Sequence, residues 1–493
     1  ITKLKARMDK LRVGDPLDKS IDMGAIVHQS QWDTVDEWVK IGEAEGGEVY
    51  HADIEMPTQG CFYPPTLVTG LDPAAEIVQE EIFGPVLVSM TFRSPAEAIA
   101  LANNTRYGLA ASVWSDNINL ALDVASKIKA GSVWVNSTNL FDAASGFGGY
   151  RESGFGREGG EEGLYEYLRP VWQDRPQPAE DFDPEAEWGA TTPTHPLMPN
   201  GKMSLTVPGV DRTPKMYIGG KQKRPDGAYT CTVLNPKGEL VGQVGDGNRK
   251  DIRNAVEAAH AAHTAKPGWA MRHGHNRAQI LYFIAENLHA RAGEFTTRLR
   301  AMTGQTEKAA RTEVEKSIDR LFTYAAWADK YGGKVQETTL RGITVGVNGP
   351  VGVIGIACPD EHPLLGFISL MAPAIARGNT VVMLPSQKYP LSATDFYQVL
   401  DTSDVPGGVV NIVTGDRDHL TKTLMSHDDV DALWYFGSAA GSYHIEYESA
   451  HNMKQTWANY GQARDWMDDE QSAGHDFLHH ATQVKNIWVP TGM

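Results

Sequence analysis

Cysteine is scarce in this chain of 493 residues. The three present, Cys61, Cys231 and Cys358, lie far apart with no Cys-x-x-Cys spacing, which supports neither a disulfide framework nor a zinc ribbon and fits a reducing cytoplasm. Long apolar runs are missing too. None approaches the roughly 20 residues a membrane helix needs, so a membrane span is excluded. Basic residues are outnumbered, 45 Lys and Arg against 62 Asp and Glu, and the net charge of −17 repels phosphate backbones. Nucleic acid is therefore excluded as a partner. The start lacks the charged, apolar and small-residue segments of a signal peptide, and because it is Ile1 rather than methionine a fragment is expected. What is present, 41% apolar and 22% charged residues, is the composition of a globular protein long enough for two or three folding units.

From Ile1 to about Trp172 helical and strand patterns alternate. Val35, Trp38, Val39 and Gly42 follow helical spacing, whereas Gly131 to Asn136 is a short β-rich run. Between Gln173 and Pro214 prolines recur and acids cluster from Glu180 to Glu187, with no hydrophobic period; such a segment reads as a linker. A second unit follows, in which Leu281, Ile284, Ala285 and Leu288 share a helix face and Val351 to Ala357 form an apolar strand.

The run Glu80-Glu81-Ile82-Phe83-Gly84-Pro85-Val86, followed by Asn103-Asn104-Thr105-Arg106-Tyr107-Gly108-Leu109 and Phe147-Gly148-Gly149-Tyr150, resembles the second half of an aldehyde dehydrogenase catalytic domain. Cys61 sits in a stretch, Gly60 to Pro65, that resembles a non-nucleophilic part of that family. After the linker, Met216 to Gly220, Asn235 to Glu239, Gly349 to Gly355, Asn379 to Met383, Pro406 to Val413 and Phe436 to Ser438 resemble, in order, the family's amino-terminal cofactor domain. Ala481 to Pro490 resembles its terminal oligomerisation strand. A carboxy-terminal half thus precedes an amino-terminal half, the arrangement of the two-domain type called family sixteen, read from the middle of the first domain.

In this family a thiolate attacks the aldehyde, hydride passes to the nicotinamide, and a glutamate activates water. The resemblance places nucleophile, base and oxyanion donor upstream of Ile1, so no catalytic residue is expected in this chain. It implies that Glu81 accepts hydrogen bonds from the nicotinamide ribose, that Phe83 packs beside the nicotinamide, and that Phe141 and Phe147 line the aldehyde funnel. The second unit departs from the family at each demanding position: Asp360-Glu361-His362 replace the oxyanion-binding segment, Leu384 and Gln387 replace the lysine and glutamate that hold the adenine ribose, and Ala458 stands at the base position. A carboxylate at the oxyanion position would repel developing negative charge. His475 and His479 have helical spacing but no third ligand, and no metal site is expected.

The expected fold class is α/β: a partial aldehyde dehydrogenase catalytic domain, followed by a second Rossmann-like domain lacking its catalytic subdomain. The expected divisions are 1–160 for the catalytic remnant, 161–172 for an oligomerisation strand and 173–214 for the linker. Residues 215–470 form a pseudo-domain with an oligomerisation hairpin near 335–347, and 471–493 a terminal oligomerisation strand. Apolar residues in Tyr165 to Val171 and Val484 to Val489 suggest unpaired edges that seek a partner strand. The implied parent is a cytoplasmic oxidoreductase acting on a small-molecule aldehyde with NAD or NADP, as a homodimer or higher homo-oligomer. This chain by itself is expected to be inactive, and its second unit to be a non-catalytic scaffold.

Overall fold

The computed structural model describes residues 1–174, 183, 188, 197–199 and 214–491. The expected linker therefore lies almost wholly outside the described residues. The chain divides into two compact units, 1–130 and 131–493.

In the first unit, helix α1 (Gln29–Ala44) begins where the His28 side chain accepts a hydrogen bond from the Ser30 N–H, and it buries Val35, Val39 and Gly42, the face its spacing predicts. Gly42 is needed there because a Cβ would lie 2.9 Å from Ile77 Cδ1. Strand β1 (Glu48–His51) pairs antiparallel with β2 (Thr66–Thr69), which runs parallel to β3 (Val86–Ser89). Val68, Leu71, Ala75 and Ile77 form a core beside Val35, Val39 and Tyr63.

The second unit opens with β4 (Ser132–Val135), buried along its length. The strand expected over 161–172 is instead a short helix, α2 (Gly160–Tyr165), followed by turns. Glu161 and Glu162 sit in its first turn, where a helix N-terminus favours carboxylates, and Gly159 and Gly160 take the positive φ that lets the chain enter it. After β5 (Met216–Ile218) and β6 (Lys221–Lys223) come three long helices, α3 (Arg249–Thr264), α4 (Gly274–Ala290) and α5 (Glu307–Trp327). Leu281, Ile284, Ala285 and Leu288 are all buried on α4, as expected.

Strands β7 (Gly333–Gln336) and β8 (Gly342–Pro350) make the antiparallel hairpin placed near 335–347. Next come β9 (Val353–Ala357), α6 (Pro363–Ala376), β10 (Thr380–Leu384), β11 (Val410–Ile412), α7 (Arg417–Met425), β12 (Ala432–Tyr435), α8 (Ala439–Ser449) and β13 (Gln455–Ala458). The order across the sheet is β13-β12-β9-β10-β11-β5-β6, with the first five parallel, β5 antiparallel to β11 and β6 antiparallel to β5. Chain order reverses beside β9, so a crevice opens at the carboxyl ends of β9 and β12, the usual ligand position of a doubly wound sheet. The parallel strands read as continuous apolar runs because helices cover both faces, and every residue of α6 is buried.

Helix α9 (His475–His480) leads into β14 (Thr482–Pro490). This last strand is not an unpaired edge: β8 runs antiparallel on one side over nine residue pairs, and β4 runs parallel on the other, with Asn486 opposite Ser132 and Trp488 opposite Trp134. That pairing explains why β4 and the residues after it belong to the second compact unit rather than to the residues that precede them. Asn486, fully buried, accepts from Gln336 Nε2 at 2.9 Å and donates to the Gly146 carbonyl, joining hairpin, strand and the loop before α2.

Candidate functional site

In the first unit, two adjacent carboxylates differ in their use. Glu80 is held by Arg106 at 2.6 Å and by the Tyr107 hydroxyl at 3.3 Å. Glu81 is exposed and makes no hydrogen bond or ion pair among the described residues. Two residues on, Phe83 is 75% exposed at φ +54°, a left-handed conformation that costs an aromatic residue about 1–3 kcal/mol. The loop is fixed from below: Gln31 Nε2 donates to the carbonyls of Ile82 and Phe83 at 3.1 and 3.2 Å, and Gly84 lies on Val35, where a Cβ would come within 2.4 Å. A core role for Phe83 is excluded by its exposure. The loop leaves one carboxylate and one aromatic face exposed.

In the second unit, Phe141 and Phe147 meet edge to face with centroids 5.0 Å apart, and Trp134 stands 5.8 Å from Phe141 and 6.5 Å from Phe147. These two phenylalanines and Trp488 line a cavity of about 420 Å³. Trp134 Nε1 donates to the Leu140 carbonyl at 2.9 Å, fixing the loop. Asp142 accepts from the Ala144 N–H and from the Thr339 hydroxyl and N–H, which hold its carboxyl below the ordinary range.

At the carboxyl ends of β9 and β12, the crevice is occupied by the chain's own side chains. The Arg417 guanidinium donates to the carbonyls of Cys358 and Phe436 and pairs with Asp360 at 3.7 Å and Asp418 at 3.5 Å. The Tyr435 hydroxyl donates to Asp418 at 2.8 Å and accepts from the Ser438 N–H at the start of α8. Its ring fills the space beside Gly437 and Gly441, where any Cβ would come within 2.5 and 2.1 Å of it. A phenol and a carboxylate thus stand where an anion would otherwise meet the N-terminus of α8. Gln387 donates to Asp416 and accepts from the Arg417 N–H. Leu384 is 1% exposed within β10, where it contributes about 2 kcal/mol of burial. Ala458 is buried on β13.

Both thiols of this unit are held toward their protonated form. Cys358 is 1% exposed, and burial pushes its pKa well up; Cys231, beside Asp246, is pushed up for the same reason. Among the described residues no three His, Cys, Asp or Glu side chains group to hold a metal, and no helix is long and apolar enough to cross a membrane.

The Aldehyde dehydrogenase family profile matches residues 1–172 and 224–466. The chain belongs to the aldehyde dehydrogenase family. An aldehyde dehydrogenase of Agaricus bisporus is 41% identical over 167 residues, which is 34% of this chain and 33% of that protein. The betaine aldehyde dehydrogenase of Cereibacter sphaeroides is 36% identical over 169 residues, 34% of this chain and 35% of that one. The cytosolic 10-formyltetrahydrofolate dehydrogenase of Xenopus tropicalis is 37% identical over 171 residues, 34% of this chain and 19% of that one. The chain thus spans between 19% and 35% of the length of these relatives. A Bacillus cereus aldehyde dehydrogenase solved with NAD+ aligns with TM-score 0.48 and 26% identity over 50% of each chain.

Several side chains at these sites carry no sequence signal. Arg417 and Tyr435 look like ordinary surface and strand residues until topology brings α7 and β12 to one crevice. Trp488 reaches the Phe141 loop only because β14 pairs with β4. Glu313, in mid-helix, is fully buried and accepts from the N–H groups of Leu364 and Leu365 at 3.0 and 3.4 Å, capping α6. His479, noted in the sequence only for its helical spacing from His475, lies against Tyr165 on the wall of a cavity.

Proposed function

We propose that this chain carries the supporting part of an NAD(P)-dependent aldehyde dehydrogenase, with nucleophile and general base supplied from outside this sequence, and a pseudo-domain over 215–470 that acts as scaffold. The observation that carries the reading is the loop at Glu81 and Phe83. A carboxylate with no partner suits two ribose hydroxyls, and an exposed aromatic held at a strained φ suits the edge of a nicotinamide. The cofactor, when bound, accepts hydride from the substrate carbon; Glu81 and Phe83 would hold its nicotinamide end. The crevice at β9 and β12 does not fit a dinucleotide, because Tyr435 and Asp418 cover the helix start and Leu384 and Gln387 offer no grip on a ribose.

In the same reading, residues 1–160 are the catalytic remnant and 215–470 the pseudo-domain, with Phe141 and Phe147 lining the path of a small-molecule aldehyde. The outer edge of β7, where Val335 is 71% exposed, supports assembly as a homodimer or higher homo-oligomer. Light scattering that returns a monomer at micromolar concentration would overturn the assembly.

Two activity measurements test the rest. The chain alone should reduce neither NAD nor NADP with an aliphatic or aromatic aldehyde; turnover above a protein-free blank would refute the division of labour. In an enzyme with the complete catalytic domain, Glu81→Gln should slow hydride transfer by about 1–3 kcal/mol, the scale of a charge-assisted hydrogen bond, and leave thermal stability unchanged. Unaltered turnover together with unaltered cofactor affinity would remove Glu81 from the site.

A further inference from the structure

A second cavity of about 420 Å³ lies among α2, the turn before β7, the start of β13 and the α9–β14 junction. Neither the aldehyde reading nor the crevice uses it. Its aromatic lining is dense: Tyr165, Tyr331, His479 and His480 all contribute, and Gln455 and Gln483 line it too, Gln483 donating its Nε2 to the carbonyls of Pro350 and Val351 and keeping its Oε1 as an acceptor. The rings are set in advance by packing. His480 stacks on Trp457 at 4.2 Å and 16°, and His479 sits 5.0 Å from Tyr165.

Three observations define what would fit. The cavity's basic groups are engaged from within: Lys334 pairs with Glu161, Lys330 with Asp329, and Arg157 spends its terminal nitrogens on the carbonyls of Gly149, Phe155, Gly156 and Val484. Both imidazoles are kept neutral, their pKa values lowered by burial, so each offers one donor and one acceptor, and neither makes a hydrogen bond among the described residues. Arg157, 7% exposed, and Thr482 each hold a buried polar atom, Nε and Oγ1, with no hydrogen-bond partner in this wall. Native proteins rarely leave such atoms unmet.

We propose that this cavity is a binding site for an uncharged, planar, hydrogen-bonding heteroaromatic ring, of which a purine is the simplest example. Flat aromatic walls stack on such a ring, while neutral imidazoles and amides read donors and acceptors along its edge. A carboxylate or phosphate would meet Glu161, Glu162 and Glu166 on the same wall. The site is independent of aldehyde chemistry, so its test needs no activity.

Titration of the full chain with adenosine by calorimetry should give saturable one-site binding with Kd below about 1 mM. His479→Gln and Gln483→Ala should each weaken it roughly tenfold, with Gln455→Ala as the replacement variant if either fails to fold. Glucose should not compete. No heat of binding at about ten times that Kd, affinity unchanged in the variants, or tighter binding of glucose than of adenosine would overturn the proposal.

Discussion

Glu313→Ala is expected to lower the stability of the second unit by about 3 kcal/mol, read as a shift of the urea midpoint by tryptophan fluorescence. The carboxylate is fully buried and accepts from two N–H groups at the first turn of α6, from Gln305 Nε2 at 3.0 Å, and pairs with His362 Nδ1 at 3.6 Å. Alanine leaves these donors buried without an acceptor, at a helix end whose dipole favours negative charge. Because every residue of α6 is buried, the helix cannot turn those groups toward water. The same pair carries a pH signature. Hydrogen bonding to Glu313 raises the pKa of His362 above 6.5, with smaller contributions from Asp465 and Glu361 and opposed by burial. A raised folded value means that the stabilisation is present below the unfolded pKa and is lost as pH rises through the folded one. Wild-type stability should therefore decline on the alkaline side of pH 6.5, and Glu313→Ala should flatten that slope. A midpoint within about 1 kcal/mol of wild type, or an unaltered slope, would show that Glu313 does not cap α6 as described.

Asn486→Leu is expected to cost a similar amount, about 3 kcal/mol, although leucine is the better hydrophobe. The side chain bridges the amide of Gln336 and the carbonyl of Gly146, and neither has another partner that could replace it in a fully buried position. Gln336 Oε1 is already unpartnered, so the network has no slack. Since Gly146 adjoins Phe147, the substitution should also raise hydrogen-exchange rates across 140–148 while leaving the sheet of β9 to β13 protected. Uniform exchange changes across the second unit, or none, would separate Asn486 from that loop. The acid limb offers a companion check through His480. Burial depresses its pKa well below 6.5, so stability present above the unfolded value is lost as pH falls through the folded one, and His480→Phe should soften that limb.

Sequence by itself determined the family, because ordered motifs such as Glu80 to Val86 are local: the glycine that must lie on Val35 and the proline that follows it are required by the backbone at that point. Helical spacing placed α1 and α4, and continuous apolar runs placed the parallel strands, since one-dimensional periodicity records which face meets a core. The replacements at Leu384 and Gln387 were also legible, and the proposed loss of a ribose grip rests on their chemistry. Tertiary structure alone decided the rest. Tyr165 to Val171 and Val484 to Val489 read alike as apolar edge segments, yet the first follows a helix started by two glycines and two glutamates, while the second is sealed between β8 and β4. Long-range pairing selects between such alternatives, and a residue's neighbours in sequence do not encode it. For the same reason Glu313, Asn486, Arg417 and His480 were invisible beforehand: each acts through atoms that are distant in the chain and adjacent only after the sheets have formed.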